Sequence, residues 1–165
     1  MIRTASAPLF FAGDTWSASP LVGGPPPSFP EGAADRADRR RAGPGAKTVL
    51  LVDDDSILRE IVRITLGSLD CRVIESADGE ACLEVARVAQ PDLILLDWML
   101  PSRTGIEVAE ALGRDPATAE IPIVMLTSRD EASDIARGRE AGVRSYLVKP
   151  FSPLELLHTV EEILS

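Results

Sequence analysis

The sequence predicts an α/β fold, (βα)5 around a five-stranded parallel sheet. Two observations predict it. Five short apolar runs, rich in β-branched residues and without polar alternation, recur along the chain, as expected for strands covered on both faces. Each run is followed by a stretch with helical periodicity, so strands and helices alternate and the sheet is parallel.

The first run, TVLLV at 48–52, leads into a helical stretch at 55–69 that opens on Asp55, read as a helix cap. CRVIE at 71–75 precedes a helix at 78–89, with Asp78 at the N-cap position. DLILL at 92–96 precedes a helix at 104–114 that starts at Thr104. PIVML at 122–126 precedes a helix at 130–141, with Asp130 as its cap and Gly142 where a C-capping glycine belongs. RSYLV at 144–148 leads into the last helix, 152–164, capped by Ser152. Its apolar stripe is read as Leu154, Leu157, Val160 and Leu164.

Residues 1–46 differ in composition. They hold seven of the 13 prolines and six of the 12 glycines, and they show no period of 2 or 3.6. Such a segment buries too little apolar surface to offset its ordering entropy. It is read as a disordered tail or linker, with 47–165 as the folded domain. Further readings of the tail are a docking or anionic-surface segment and a start codon placed too far upstream. The tail carries five basic and four acidic residues, leaving 12 basic and 22 acidic residues, a net charge of −10, in the remainder. That acidity argues against nucleic acid as a partner. Cys71 and Cys82 lack metal-ligand spacing and are read as structural thiols of a reducing, cytoplasmic compartment. No apolar run is long enough to span a membrane, and the opening MIRTASAPLFFAG is too weakly apolar for a signal peptide.

Ligands of open parallel sheets bind beyond the carboxyl ends of the strands. Asp53, Asp54 and Asp55 follow the first run, and Asp97 follows the third. Thr127 and Ser128 follow the fourth, and Lys149 and Pro150 the fifth. Only Ser76-Ala77, after the second, offers little chemistry. Asp53, Asp54 and Asp97 would crowd three carboxylates together. Two like charges about 4 Å apart repel by roughly 4 kcal/mol at an effective dielectric near 20. A partly hydrated, oxygen-seeking cation such as Mg²⁺ (or Mn²⁺) relieves that repulsion. With Lys149 as a second cation, the rim suits phosphoryl transfer to a carboxylate nucleophile, and Thr127 could donate to a phosphoryl oxygen.

The motifs VDDD at 52–55, LLDWMLPSRTG at 95–105, LTS at 126–128 and YLVKPF at 146–151 resemble those of response-regulator receivers of two-component signal transduction. The resemblance runs from 48 to 164. It implies a doubly wound, flavodoxin-like sheet of order 2-1-3-4-5, like that of chemotaxis regulators. It implies Asp97 as phosphoacceptor. It also implies Mg²⁺ held by Asp54, Asp97 and the Met99 backbone carbonyl, with Asp53 reaching the ion through water. Lys149 would bridge to the acceptor, Thr127 and Tyr146 would form a switch pair, and the Lys149–Pro150 bond would be cis. Met99 and Arg129 would flank the path of an attacking water and set the lifetime of the phosphoryl group. The implied phosphodonor is a sensor histidine kinase or phosphotransfer protein. The output would be a protein contacted through the last helix and the fifth strand, from a monomer or a phosphorylation-dependent homodimer. Such a chain promotes its own phosphorylation and dephosphorylation but is not otherwise an enzyme. It departs from the family pattern at Thr104, where an Asp usually stands. It ends soon after the last helix, as a stand-alone receiver would. The alternatives are a degenerate, unphosphorylated receiver acting as a binding module, and an aspartate-nucleophile phosphatase. The phosphatase would need a second Asp where Met99 stands. Trp98 is read as a partly exposed neighbour of the site and His158 as a surface residue.

Overall fold

The computed structural model describes residues 10–12, 15–17, 45–128 and 135–165. Five strands form one sheet: β1 (Lys47–Val52), β2 (Cys71–Ser76), β3 (Leu93–Asp97), β4 (Ile123–Thr127) and β5 (Val143–Val148). All pair in parallel, in the order β2-β1-β3-β4-β5. The helices are α1 (Ser56–Leu66), α2 (Gly79–Ala89), α3 (Gly105–Arg114), α4 (Ile135–Glu140) and α5 (Pro153–Leu164). This is the expected (βα)5 fold with the expected strand order.

The sheet is covered on both faces, and strand residues alternate between them. Leu50, Val52, Ile94, Leu96 and Met125 pack with Cys82 and Ala86 of α2 and with Ile106, Val108 and Leu112 of α3. Val49, Leu51, Leu93, Leu95 and Leu126 pack with Val62 and Leu66 of α1 and with Leu156 and Val160 of α5. Sandwiching explains why the inner strands read as unbroken apolar runs.

The helix starts are chemically marked. Asp55 caps α1, accepting from the backbone N–H of Ile57 and of Leu58. Asp78 caps α2. Thr104 and Ser152 each form a reciprocal capping box, with Glu107 and Glu155 respectively. Gly142, at φ +87°, follows α4 and donates its N–H to the Arg139 carbonyl. Asp130 lies outside the described residues.

One expectation about the helices needs correction. The α5 stripe is not the one read from the sequence: Leu154 is 77% exposed, whereas Leu156 is 1% exposed. Steps of three residues fall short of a helical turn, so Leu154 sits about 120° around the axis from Val160. Leu156 and Val160, four apart, are the true anchors. Within residues 1–46 the structure describes a short antiparallel pair, Phe10–Ala12 with Thr15–Ser17.

Leu156→Ala should therefore cost about 2–5 kcal/mol of stability. Leu154→Ala should cost less than about 0.5 kcal/mol. Urea denaturation of the two variants checks this, and equal losses would restore the stripe through Leu154.

Candidate acidic site at the carboxyl rim of the sheet

Strand register builds the site. Val52 pairs with Leu96, so the next residues, Asp53 and Asp97, emerge side by side. Thr127 pairs with Val148, and the Lys149 N–H donates to the Thr127 carbonyl at 2.7 Å. Lys149 thereby enters the rim next to β4. Its Nζ lies 2.7 Å from Asp53 Oδ2 and 2.7 Å from Asp97 Oδ1. Asp53 is buried, as is Asp97, and Asp54 is exposed. One carboxylate oxygen from each of these three aspartates lies within 4.8 Å of the others. Among the described residues this is the group of acids arranged to hold a metal ion.

Asp53 is fixed from four directions. Its N–H donates to the Ser76 carbonyl at 3.1 Å. Its Oδ1 accepts from the Asp55 N–H at 2.8 Å, and its Oδ2 receives Lys149. Its backbone carbonyl accepts from Arg59 Nη1 at 2.6 Å, while Arg59 Nε reaches Glu75 of β2 at 3.3 Å. Asp97 is held by the turn that follows it. The Gly105 N–H donates to the Trp98 carbonyl at 2.7 Å, and Met99 bridges to Thr104. A Cβ on Gly105 would collide with the backbone oxygen of Asp97 and would lie 2.9 Å from the Met125 sulfur. Only glycine lets this turn close.

Burial raises the pKa of the Asp97 carboxyl above the ordinary range; Lys149 opposes this and the nearby Asp53 charge reinforces it. Lys149 loses solvation through burial, yet its hydrogen bonds to Asp53 and Asp97 hold its pKa above the ordinary value. The two partners therefore shift the same way. Lys149 has two anions to itself, whereas each carboxylate has only a share of one ammonium.

Thr127 is buried at the end of β4, and its hydroxyl donates to the Ser128 carbonyl at 3.1 Å. Half-buried Tyr146 packs over Gly138 of α4, where any added Cβ would strike the phenol oxygen. Met99 is exposed at the rim. The Lys149–Pro150 bond is cis, as expected. Arg129 lies outside the described residues. Trp98 is 8% exposed and belongs to the core, which corrects its reading as partly exposed: its indole packs on the α2/α3 side of the sheet. His158 is exposed, and Cys71 and Cys82 are buried free thiols. Sequence reasoning missed Arg59, Ser76 and Gly105. Arg59 looks like an ordinary helix-surface arginine, and Ser76 acts through a backbone carbonyl that its side chain does not advertise.

Residues 49–161 match the family model for the response regulator receiver domain. The chain belongs to that family. The phosphate regulon transcriptional regulatory protein PhoB of Pseudomonas aeruginosa is 42% identical over 118 residues, covering 72% of this chain and 52% of that protein. The chain thus spans about half the length of the curated relatives it matches. The chemotaxis response regulator CheY4 of Vibrio cholerae superposes with a TM-score of 0.68 at 34% identity, covering 72% of this chain and 99% of that one. The receiver domain of the sensor histidine kinase PA1611 of P. aeruginosa, which has a magnesium ion coordinated in its active-site cleft, gives a TM-score of 0.66 at 28% identity. That match covers 72% of this chain and 98% of the other. Receivers are signalling domains of two-component systems, and phosphorylation and Mg²⁺ binding are general to them. Among the described residues no helix is long and apolar enough to cross a membrane.

Gly105→Ala should cost about 1–3 kcal/mol, because the turn must open to relieve the collision with Asp97. Chemical denaturation measures it. Wild-type stability in that variant would mean that the turn yields freely and does not fix Asp97.

Proposed function

We propose that residues 47–165 form a phosphoacceptor receiver, preceded by a tail at 1–46, and that Asp97 is the acceptor. The supporting observation is the shared Lys149 ammonium, 2.7 Å from both Asp53 and Asp97 on a rim that also presents Asp54. The donor is a phosphohistidine of a sensor histidine kinase or phosphotransfer protein. Lys149 engages Oδ1 of Asp97, which leaves Oδ2 to attack phosphorus. The P–O bond forms as the P–N bond breaks, and the imidazole leaves with the bonding pair and takes up a proton. Lys149 then offsets charge on the phosphoryl oxygens, and Thr127 donates to one of them.

The residues present fit Mg²⁺ (or Mn²⁺), which supplies positive charge against the carboxylates and the phosphoryl oxygens. Both carboxylate oxygens of Asp53 already have protein partners, Asp55 N–H and Lys149. That favours Asp53 acting through water, with Asp54, Asp97 and the Met99 carbonyl as direct ligands. The magnesium in the PA1611 receiver supports the same reading.

Phosphorylation is read by Thr127 and Tyr146 and passed to a protein partner through α5 and β5, from a monomer or a phosphorylation-dependent homodimer in the cytoplasm. The PhoB relatives are transcriptional regulators. The acidity of 47–165 makes direct nucleic-acid binding by the receiver itself unfavourable.

Treatment with acetyl phosphate and Mg²⁺ should add one phosphoryl group to the intact mass, and Asp97→Asn should remove the gain. Equal labelling of that variant would exclude Asp97, and no labelling of the wild type would favour a degenerate receiver. Mg²⁺ should also change the emission of Trp98, the residue next to Asp97 in the chain, and Asp54→Ala should abolish the response. An unchanged titration in Asp54→Ala would remove Asp54 as a ligand. Met99, exposed at the rim and without a hydrogen bond to orient water, should slow hydrolysis, and Arg129 cannot act as a base. Phosphoryl decay should therefore quicken in Met99→Asn; an unaltered rate would rule Met99 out as a gate.

A further inference from the structure

β2 sends no side chain into the carboxylate–lysine cluster, yet its end is hydrogen-bonded to both sides of it. The Ser76 carbonyl accepts from the Asp53 N–H at 3.1 Å. The buried hydroxyl of the same residue donates to the Asp78 carbonyl at 3.0 Å. Asp78 Oδ1 in turn accepts from Ser102 Oγ at 2.9 Å, while it caps α2 through the Glu80 N–H at 2.7 Å. Ser102 stands in the turn between β3 and α3, just past Met99. Ser76, Asp78 and Ser102 thus join the Asp53 backbone to the Met99 turn by a route outside the sheet. The turn is held at its base and at its tip. Met99 and Thr104 bridge at the base, which leaves Leu100, Pro101, Ser102 and Arg103 as the tip. Beside the Ser102 contact, Arg103 Nε donates to Glu80 Oε1. Gly79 lies between the two acidic partners and is buried. A Cβ there would stand 2.8 Å from Val108 Cγ2 and 3.5 Å from Leu100 Cδ1. Asp78-Gly79-Glu80 therefore offers two carboxylates to the tip, and the missing side chain between them lets the tip come close.

We propose that Asp78 and Ser102 are positioning residues for the divalent cation: they pin the tip of the β3–α3 turn to the end of β2 and so fix the Met99 backbone carbonyl relative to Asp53. This rests on the reading of that carbonyl as a metal ligand. A ligating side chain can be aimed by its rotamer, whereas a ligating carbonyl points only where its backbone puts it. Contacts that place the backbone therefore do for Met99 what outer hydrogen bonds do for a ligating side chain. The two sides of the site come from different strands, and Met99 itself is exposed, with no packing of its own to hold it. A link from Ser76 to both sides leaves less ordering to be done when the ion arrives. Ser102 is the member of the chain that can be removed alone. It is exposed, it is uncharged, and its hydroxyl is what reaches Asp78.

Mn²⁺ titration of the full chain, followed by the electron paramagnetic resonance of the free ion, tests this. In Ser102→Ala the affinity should fall about threefold or more, less than the roughly 10–100-fold that follows loss of a ligating side chain's own partner. Ser102→Thr keeps the hydroxyl and should bind as the wild type does. Melting temperature should be the same in all three proteins, because neither substitution touches the core. In the metal-free protein the Gly105 N–H, which donates to the Trp98 carbonyl at the base of the turn, should exchange with solvent faster in Ser102→Ala. Wild-type affinity in Ser102→Ala overturns the proposal, as does a loss that Ser102→Thr fails to restore. Unchanged exchange at Gly105 alongside weakened binding overturns it too, since the turn would then not have been loosened. A wild type that binds no ion removes the metal reading of the whole rim, whereas ion binding that is indifferent to Ser102 removes the positioning role alone.

Discussion

Lys149 places one ammonium 2.7 Å from each of two buried carboxylates that are far away in sequence, and the rest of the rim is arranged around that contact. Either aspartate alone would be costly to bury as an anion. Together they would repel, by roughly 4 kcal/mol at 4 Å and an effective dielectric near 20. The lysine makes the arrangement tolerable only if all three groups are held still. Parallel register brings Asp53 and Asp97 level, the Thr127 carbonyl fixes the lysine backbone, and Gly105 lets the turn after Asp97 fold back. Arg59 ties the Asp53 backbone to Glu75 on the neighbouring strand. Each of these devices acts on the backbone of a charged residue, so the side chains face the rim with little freedom.

The charge balance is deliberately incomplete. Asp53, Asp54 and Asp97 against Lys149 leave two formal negative charges on the rim, and burial already pushes the Asp97 carboxyl up. A divalent cation makes up that deficit, whereas a second lysine would fall short by half. On the proposed reading the same deficit gives specificity. A phosphoryl group brings further negative charge, so it is accepted only when a cation and Lys149 are both in place.

How much of this could be read in the sequence follows from what each residue does. The strands were legible because sandwiching removes their alternation, and the rim because four strand ends terminate in charged or hydroxyl side chains. Asp55, Thr104 and Ser152 were legible because capping is chemistry of the residue itself. Residues that act through shape or through the backbone were not legible. The Ser76 carbonyl could belong to any amino acid. Arg59 has the composition of a solvated helix face. Leu154 looked like core because three-residue spacing imitates a stripe over one turn and drifts off it over two. Trp98 is the chain neighbour of Asp97 and so reads as a partly exposed neighbour of the site, yet strand alternation turns it inward as Asp97 turns to the rim.

The contact between Tyr146 and Gly138 shows how such a rim could speak to the outside. The ring occupies space that a side chain on α4 would otherwise fill, and it also packs against the α2/α3 core. On the proposed reading that position is one of two states, since close packing favours discrete arrangements over smooth deformation. Turning outward would leave a void beside Gly138 and expose the phenol, whose burial currently raises its pKa. Turning inward would need room next to β4. On the proposed reading, Thr127 moving toward a phosphoryl oxygen supplies that room, so the ligand acts only through its different fit to the two states. On that reading glycine at 138 is what leaves the ring its place, since any side chain there would meet the phenol oxygen.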